Sequence, residues 1–160
     1  MVMPRESAQL PADDGLWNAC DIANGIPFIL PATQEEFVPQ MVNLDLIGGL
    51  SYTKGCYPGQ EIVARSQYRG SIKRRLQLAH LDSDILRQAV SPGTELFLKD
   101  DPTQPAGMVV LSSVNRAIVN RVDFQIECKL EAIERGEIHL GSSDGPVLKI
   151  DQLPYPLIEI

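Results

Sequence analysis

Only 6% of this 160-residue chain is aromatic, and it has one tryptophan, Trp17. Histidine is confined to His80 and His139, and cysteine to Cys20, Cys56 and Cys128, each far from the others. That scatter excludes a disulfide framework and a Cys-x-x-Cys metal site, and no metal is expected. The three thiols fit a reducing compartment. Neither histidine has a cysteine, a second histidine or a carboxylate at ligand spacing, so both are expected to be structural. The chain has no Ser-His-Asp order, no Walker loop and no GxGxxG, which removes the commonest hydrolase and nucleotide signatures. No apolar run is long enough to cross a bilayer. The opening MVMPRESAQL has no apolar h-region, so a cytoplasmic protein without a membrane partner is expected.

What is present is a soluble composition, 44% apolar and 22% charged, able to bury one or two small cores. The most informative stretch is Tyr52–Arg75, YTKGCYPGQEIVARSQYRGSIKRR. Gly55 and Gly59 bracket Cys56-Tyr57-Pro58, and glycines supply the positive φ a tight loop needs. Pro58 suits a first helical turn, Gln60 to Arg69 reads as the helix, and Gly70 reads as its stop. Cys56 is therefore expected at or just before a helix N-terminus. That field alone favours an anion by only about 0.3–1 kcal/mol. With Lys54, Arg65, Arg69 or the Lys73-Arg74-Arg75 run nearby, the summed charge would bring a thiolate into play. The alternative is a small residue buried in a turn.

Net charge is −7, unevenly spread. Six cations and one acid, Glu61, lie between Lys54 and Arg75, giving +5 there and −12 elsewhere (8 cations less 20 acids). An acidic chain with one cationic strip argues against broad adhesion to nucleic acid and for a single local anionic ligand, an RNA phosphate among them. A solvated helix face plus a charged strand entry is the plainer alternative.

At these residues a family resemblance becomes specific. Lys54-Gly55-Cys56-Tyr57-Pro58-Gly59-Gln60-Glu61 followed by Ala64-Arg65 resembles the K-G-C-Y-x-G-Q-E signature of YgfZ-type folate-binding proteins, relatives of the aminomethyltransferase (T-protein) of the glycine cleavage system. Upstream, Gly25-Ile26-Pro27, Phe37-Val38-Pro39-Gln40 and Asn43-Leu44 are similar to that family's G-x-P, F-x-P-Q and N-L run, and Leu153-Pro154-Tyr155 to its closing L-P-Y. The resemblance implies a cytosolic, folate-binding accessory protein linked to iron–sulfur cluster maintenance and tRNA modification. Its expected cofactor is folate (tetrahydrofolate), and its expected partners are iron–sulfur assembly proteins or iron–sulfur tRNA-modifying enzymes, with direct tRNA contact left open. By resemblance, Cys56 is the candidate catalytic group, and Trp17, Lys54, Tyr57, Gln60, Glu61 and Arg65 are the candidate cofactor-binding residues. By pattern alone Trp17 is a core anchor. An indole face stacked on a pterin is the reading the resemblance adds.

In chain order, residues 1–12 have no periodicity. Asp13-Asp14 offers an N-cap to a short helix that places Leu16, Trp17, Cys20 and Ala23 on one face, ended by Gly25 and Pro27. Thr33 with Glu36 reads as the cap of a short turn that Pro39 keeps irregular. Asn43, polar among apolar neighbours, either holds loop backbone or meets ligand. A strand is expected at Leu50–Thr53 after Gly48-Gly49. From Arg74 onward the texture changes to short alternating runs. Leu76, Leu78 and His80 share one strand face. Further strands are expected at Glu95–Leu98, Met108–Ser113, Phe124–Leu130, Ile138–Leu140 and Val147–Gln152, with Cys128 as a core sulfur.

The fold class expected is α+β: the tail of an α/β folate-binding domain over 1–72, carrying the KGCYPGQE loop, and a small C-terminal antiparallel β-barrel over 73–160. Residues 1–70 hold too few elements for a core of their own and read as part of a larger domain. Three functions follow: an accessory factor using Cys56, a folate-dependent one-carbon transferase, and a noncatalytic interaction module with a structural Cys56. The cysteine signature is not the transferase's pattern.

Overall fold

Six short strands separated by turn residues cannot leave their hydrogen-bonding edges open to water without inviting aggregation. Here they close on themselves. The computed structural model describes residues 14–69, 72–83 and 88–157. Asp13 and Gly70, the expected helix cap and stop, and the 1–12 end lie outside them. The strands are β1 (Arg74–Asp82), β2 (Glu95–Leu98), β3 (Gly107–Val114), β4 (Arg121–Lys129), β5 (Ile138–Leu140) and β6 (Val147–Asp151). They form an antiparallel barrel in the order β1-β4-β3-β2-β5-β6, closed by β6 pairing with β1. The α+β reading with a small barrel therefore holds. The six-residue helix α3 (Leu130–Arg135), with no turn or capping residue at its start, continues straight from β4.

Alternation along the strands fills two cores. Val122, Phe124, Ile126 and Cys128 of β4 point inward with Ala79 and Leu81 of β1, and Cys128 is fully buried. Leu76 and Leu78 face outward, into a second cluster with Ile22, Val42, Leu153 and Tyr155. A bulge on β3 between Val109 and Leu111 sends Val109 inward and both Val110 and Leu111 outward, widening that second face.

The leading segment lies on this outer face. Helix α1 (Asp14–Asn24) is held at both ends by barrel side chains. Ser113 Oγ donates to the Gly15 carbonyl at 2.9 Å, and Gln125 Nε2 donates to the carbonyls of Asp21 and Ile26, each at 2.9 Å. Those bonds fix which face is inside, and it is not the predicted one. Ile22 is buried, whereas Leu16, Trp17, Cys20 and Ala23 are all exposed. The Leu30 amide donates to Thr33 Oγ1 at 3.2 Å, so Thr33 closes the 3₁₀ turn Pro31–Thr33 from its end rather than capping a later one. Pro39 opens a second 3₁₀ turn, Pro39–Val42. No strand forms at Leu50–Thr53, which runs through bends into the next loop.

Candidate functional site

The glycine-flanked loop behaves only partly as its glycines predict. Gly59 has φ +83°, the left-handed geometry expected of it, while Gly55 does not adopt positive φ. Helix α2 begins at Gln60 and ends at Arg69, as the sequence indicates. Its first turn hydrogen-bonds back to Gly59, with Ile62 N–H at 3.1 Å and Val63 N–H at 3.3 Å, so Gly59 occupies the cap and Pro58 precedes the helix. Cys56 lies four residues before the first helical residue and is exposed, as a free thiol. The Lys54 ammonium sits 4.7 Å from the centre of the Tyr57 ring, a cation–π contact that folds the chain around Gly55-Cys56.

The loop is tied back onto its helix by Tyr52, whose hydroxyl donates to Gln67 Oε1 at 2.9 Å and whose ring meets Tyr68 edge-on, centroids 6.2 Å apart. Burial, and after it the negative charge of Asp45, push the Tyr52 phenol above its ordinary value.

Half of the expected cationic strip, three of its six cations, is held in ion pairs. Arg65 pairs with Glu61 one helical turn away at 3.1 Å, both side chains exposed. Arg74 makes a two-oxygen contact with Glu127 at 2.9 and 2.7 Å. The burial of Glu127 still raises its carboxyl above the usual range against that pull. Arg75 is 4% exposed and pairs at 2.7 Å with Asp45, itself 5% exposed. Lys73-Arg74-Arg75 is therefore not a free field aimed at Cys56: two of its three charges are held by carboxylates.

What the family-like motifs outside the loop do is structural. Gly25 ends α1 in a Schellman arrangement, its N–H bonded to Ile22 O at 3.0 Å and the Ile26 N–H to Asp21 O at 3.0 Å. Gly25 has φ +62°, and a Cβ there would lie 2.8 Å from the Tyr155 ring. The Tyr155 hydroxyl donates to the Gly25 carbonyl at 2.8 Å and accepts from Asn43 Nδ2 at 3.3 Å, and Asn43 Nδ2 also donates to Leu76 O at 3.0 Å. Asn43 is fully buried with φ +60°, so it holds backbone, one of the two roles left open for it. Gln40, 1% exposed, gives its carbonyl to Arg75 at 2.8 Å and its side-chain amide to Val63 O of α2 at 2.8 Å. The G-x-P, F-x-P-Q, N-L and L-P-Y motifs thus meet in one clamp joining α1, α2 and the barrel.

The candidate cofactor residues are not brought into one cavity. Lys54 meets Tyr57, Glu61 meets Arg65, and Gln60 is half-buried at the helix start. Trp17 is 71% exposed on α1, which packs on β3 and β4, whereas α2 packs on the Pro39–Val42 turn. Trp17 is thus no core anchor. Among the described residues no group of three or more His, Cys, Asp and Glu could hold a metal ion. His80 Nδ1 lies 2.8 Å from Asp151 and His139 Nδ1 lies 2.8 Å from the Gly145 carbonyl, both structural as expected. Nor is any helix among the described residues long and apolar enough to cross a membrane.

No family model matches the chain. Over 143 residues, 89% of this chain and 42% of the relative, it is 36% identical to the tRNA-modifying protein YgfZ of Escherichia coli O45:K1 (strain S88 / ExPEC). The relative of the same name in Escherichia coli O7:K1 (strain IAI39 / ExPEC) matches to the same extent, 36% over 143 residues. A shorter stretch of 82 residues, 46% of this chain and 25% of the relative, is 54% identical to the tRNA-modifying protein YgfZ of Edwardsiella ictaluri (strain 93-146). The chain spans 42% of the length of the Escherichia coli relatives it matches.

Proposed function

Because the chain belongs to the YgfZ-type family, we propose that it serves tRNA modification as a folate-linked accessory factor in the cytoplasm, with Cys56 as its reactive group. The observation that carries this reading is the exposed, free thiol of Cys56 at a loop folded by the Lys54–Tyr57 contact. A thiol presented to solvent on a held loop is available to a partner or an electrophile, which a packing cysteine such as Cys128 is not.

The chain's share in holding a folate is the indole plane of Trp17 and the loop cation Lys54; these line no common cavity among the described residues. Trp17 offers a flat, uncovered face for stacking on a fused ring. Tyr57, Gln60, Glu61 and Arg65 shape the loop and helix behind Cys56. A link to iron–sulfur chemistry runs through partners, namely assembly proteins or iron–sulfur tRNA-modifying enzymes. A cluster usually needs four protein ligands, and one thiol supplies one of them.

The test uses the single tryptophan. Titrating the chain with tetrahydrofolate should change Trp17 emission saturably, and emission that stays flat sinks the folate half of the reading. For the cysteine half, the alkylation rate of Cys56 is followed against pH. A rate tracking an ordinary thiol, with a pKa of about 8.5, favours the noncatalytic module instead. That second reading has its own support in Ile62 and Tyr68, 61% and 73% exposed on α2, which leave apolar surface for a partner to cover.

A further inference from the structure

A concavity lies at the seam between the leading segment and the barrel, and none of the loop residues discussed above lines it. Its volume is about 780 Å³, within the range of small-molecule sites. The apolar part of the lining is Val38 just before the Pro39–Val42 turn, Met41 within it, Ile72 before β1, and Leu130 at the start of α3. Such a surface accepts an apolar body but does not by itself say which head group goes with it.

The charges do. Of the ionic residues in the lining, Arg74 is taken by Glu127 and Glu131 by Arg135 at 3.4 Å. Lys73 and Lys129 make no ion pair among the described residues. Both line the groove and their backbones are neighbours: Arg74 and Lys129 are register partners in the β1–β4 ladder, and the Leu130 N–H donates to the Lys73 carbonyl at 2.9 Å. Lys129 also feels Glu127, but that carboxylate is already spent on Arg74. In a chain of net charge −7, two lysines outside any ion pair, set against one such carboxylate in the lining, leave this apolar groove with a net positive charge that suits an anion. Glu134, the one lining carboxylate outside an ion pair, can accept an N–H from the body of the ligand.

We propose that this groove binds a small organic anion, a carboxylate or phosphate ester, with its head group between Lys73 and Lys129 and its apolar body on Val38, Met41, Ile72 and Leu130. The site is separate from Cys56 and does not depend on the folate reading.

Methionine methyl groups report on it. The chain has four methionines; Met41 lines the groove and Met108 is on β3, outside it. With ¹³C-methyl methionine in the whole chain, and Met41→Leu to assign the signal, three probes are titrated: 1-naphthoate, adenosine monophosphate and inorganic phosphate. The Met41 signal should move saturably with at least one organic probe while Met108 stays still. The double variant Lys73→Gln, Lys129→Gln should weaken binding at least tenfold, and Lys99→Gln, at an exposed lysine outside the groove, should leave it unchanged. A response to naphthoate alone assigns carboxylates, and to the nucleotide alone phosphate esters. An unmoved Met41 signal, or binding that survives the double variant with Met108 still at its folded position, overturns the proposal. Inorganic phosphate binding as tightly as the organic probes also overturns it, the site then being one for an adventitious ion only.

Discussion

Gln40 and Arg75 are joined by a 2.8 Å hydrogen bond from the guanidinium to the glutamine carbonyl, and through that residue the barrel reaches α2. The side-chain amide of Gln40 continues the line to Val63, three residues into the helix that follows the Cys56 loop. Removing this link should free the loop without unfolding the barrel. In Gln40→Leu the lost bond costs about 1 kcal/mol, a small change in the urea midpoint. Locally, amide exchange over 60–69 and alkylation of Cys56 should both accelerate. Cys20, exposed on α1, should react as before and Cys128 should stay protected. Unchanged exchange over α2 would show that Gln40 does not hold it.

The same arginine gives a stability prediction. Arg75 and Asp45 are both almost fully buried, so the pair is screened little by water. Asp45→Asn keeps the shape but strands the guanidinium charge, and breaking a buried pair this way costs roughly 3–5 kcal/mol. Denaturant unfolding should register it. A loss below about 1 kcal/mol, the usual worth of an exposed pair, would mean that water reaches the site.

Cys128 sets a pH dependence. Burial, and then the negative charge of Glu127, push its thiol up from 9.0 to about 12. A folded-state pKa above the unfolded one means the contribution is whole below pH 9 and is lost as pH rises toward about 12. Across that window each pH unit should remove about 1.4 kcal/mol. Cys128→Ala should be less stable at neutral pH because of the cavity it leaves, yet show a shallower alkaline decline than the parent. Parallel declines in the two proteins would rule Cys128 out as the cause.

Much of the architecture was legible because turn residues punctuate it. Gly59 stands before α2, Ser91-Pro92-Gly93 before β2 and Asp144-Gly145-Pro146 before β6, and these strands fall where the alternating runs place them. What local pattern could not show was anything decided by distant partners. The strip Lys54–Arg75 reads as a free cationic field because Asp45 and Glu127, which neutralise Arg75 and Arg74, lie 30 and 53 residues away from them. Asn43 reads as a ligand contact or a plain loop residue until the clamp that joins it to Tyr155 and Leu76 is seen. The groove of Lys73 and Lys129 left no motif at all, because its two lysines become neighbours only through the β1–β4 ladder. Helix α3 was missed for a related reason: it follows β4 without a glycine, a proline or a capping side chain.

The orientation of α1 turns that lesson into a measurement. Spacing alone put Leu16, Trp17, Cys20 and Ala23 on the buried face, since an apolar stripe at helical period normally faces a core. Gln125 and Ser113 override it by bonding carbonyls near the two ends of the helix, which rolls Ile22 inward to 4% exposure and leaves Trp17 at 71%. Trp17→Ala should therefore change stability by no more than about 0.5 kcal/mol, the ordinary scale for a surface substitution. Ile22→Ala should cost roughly 2–5 kcal/mol, the scale for emptying a packed site. Urea unfolding of the two variants decides between the faces. If Trp17→Ala proves the more damaging, α1 is seated the other way round, and the indole is unavailable to stack on any ligand.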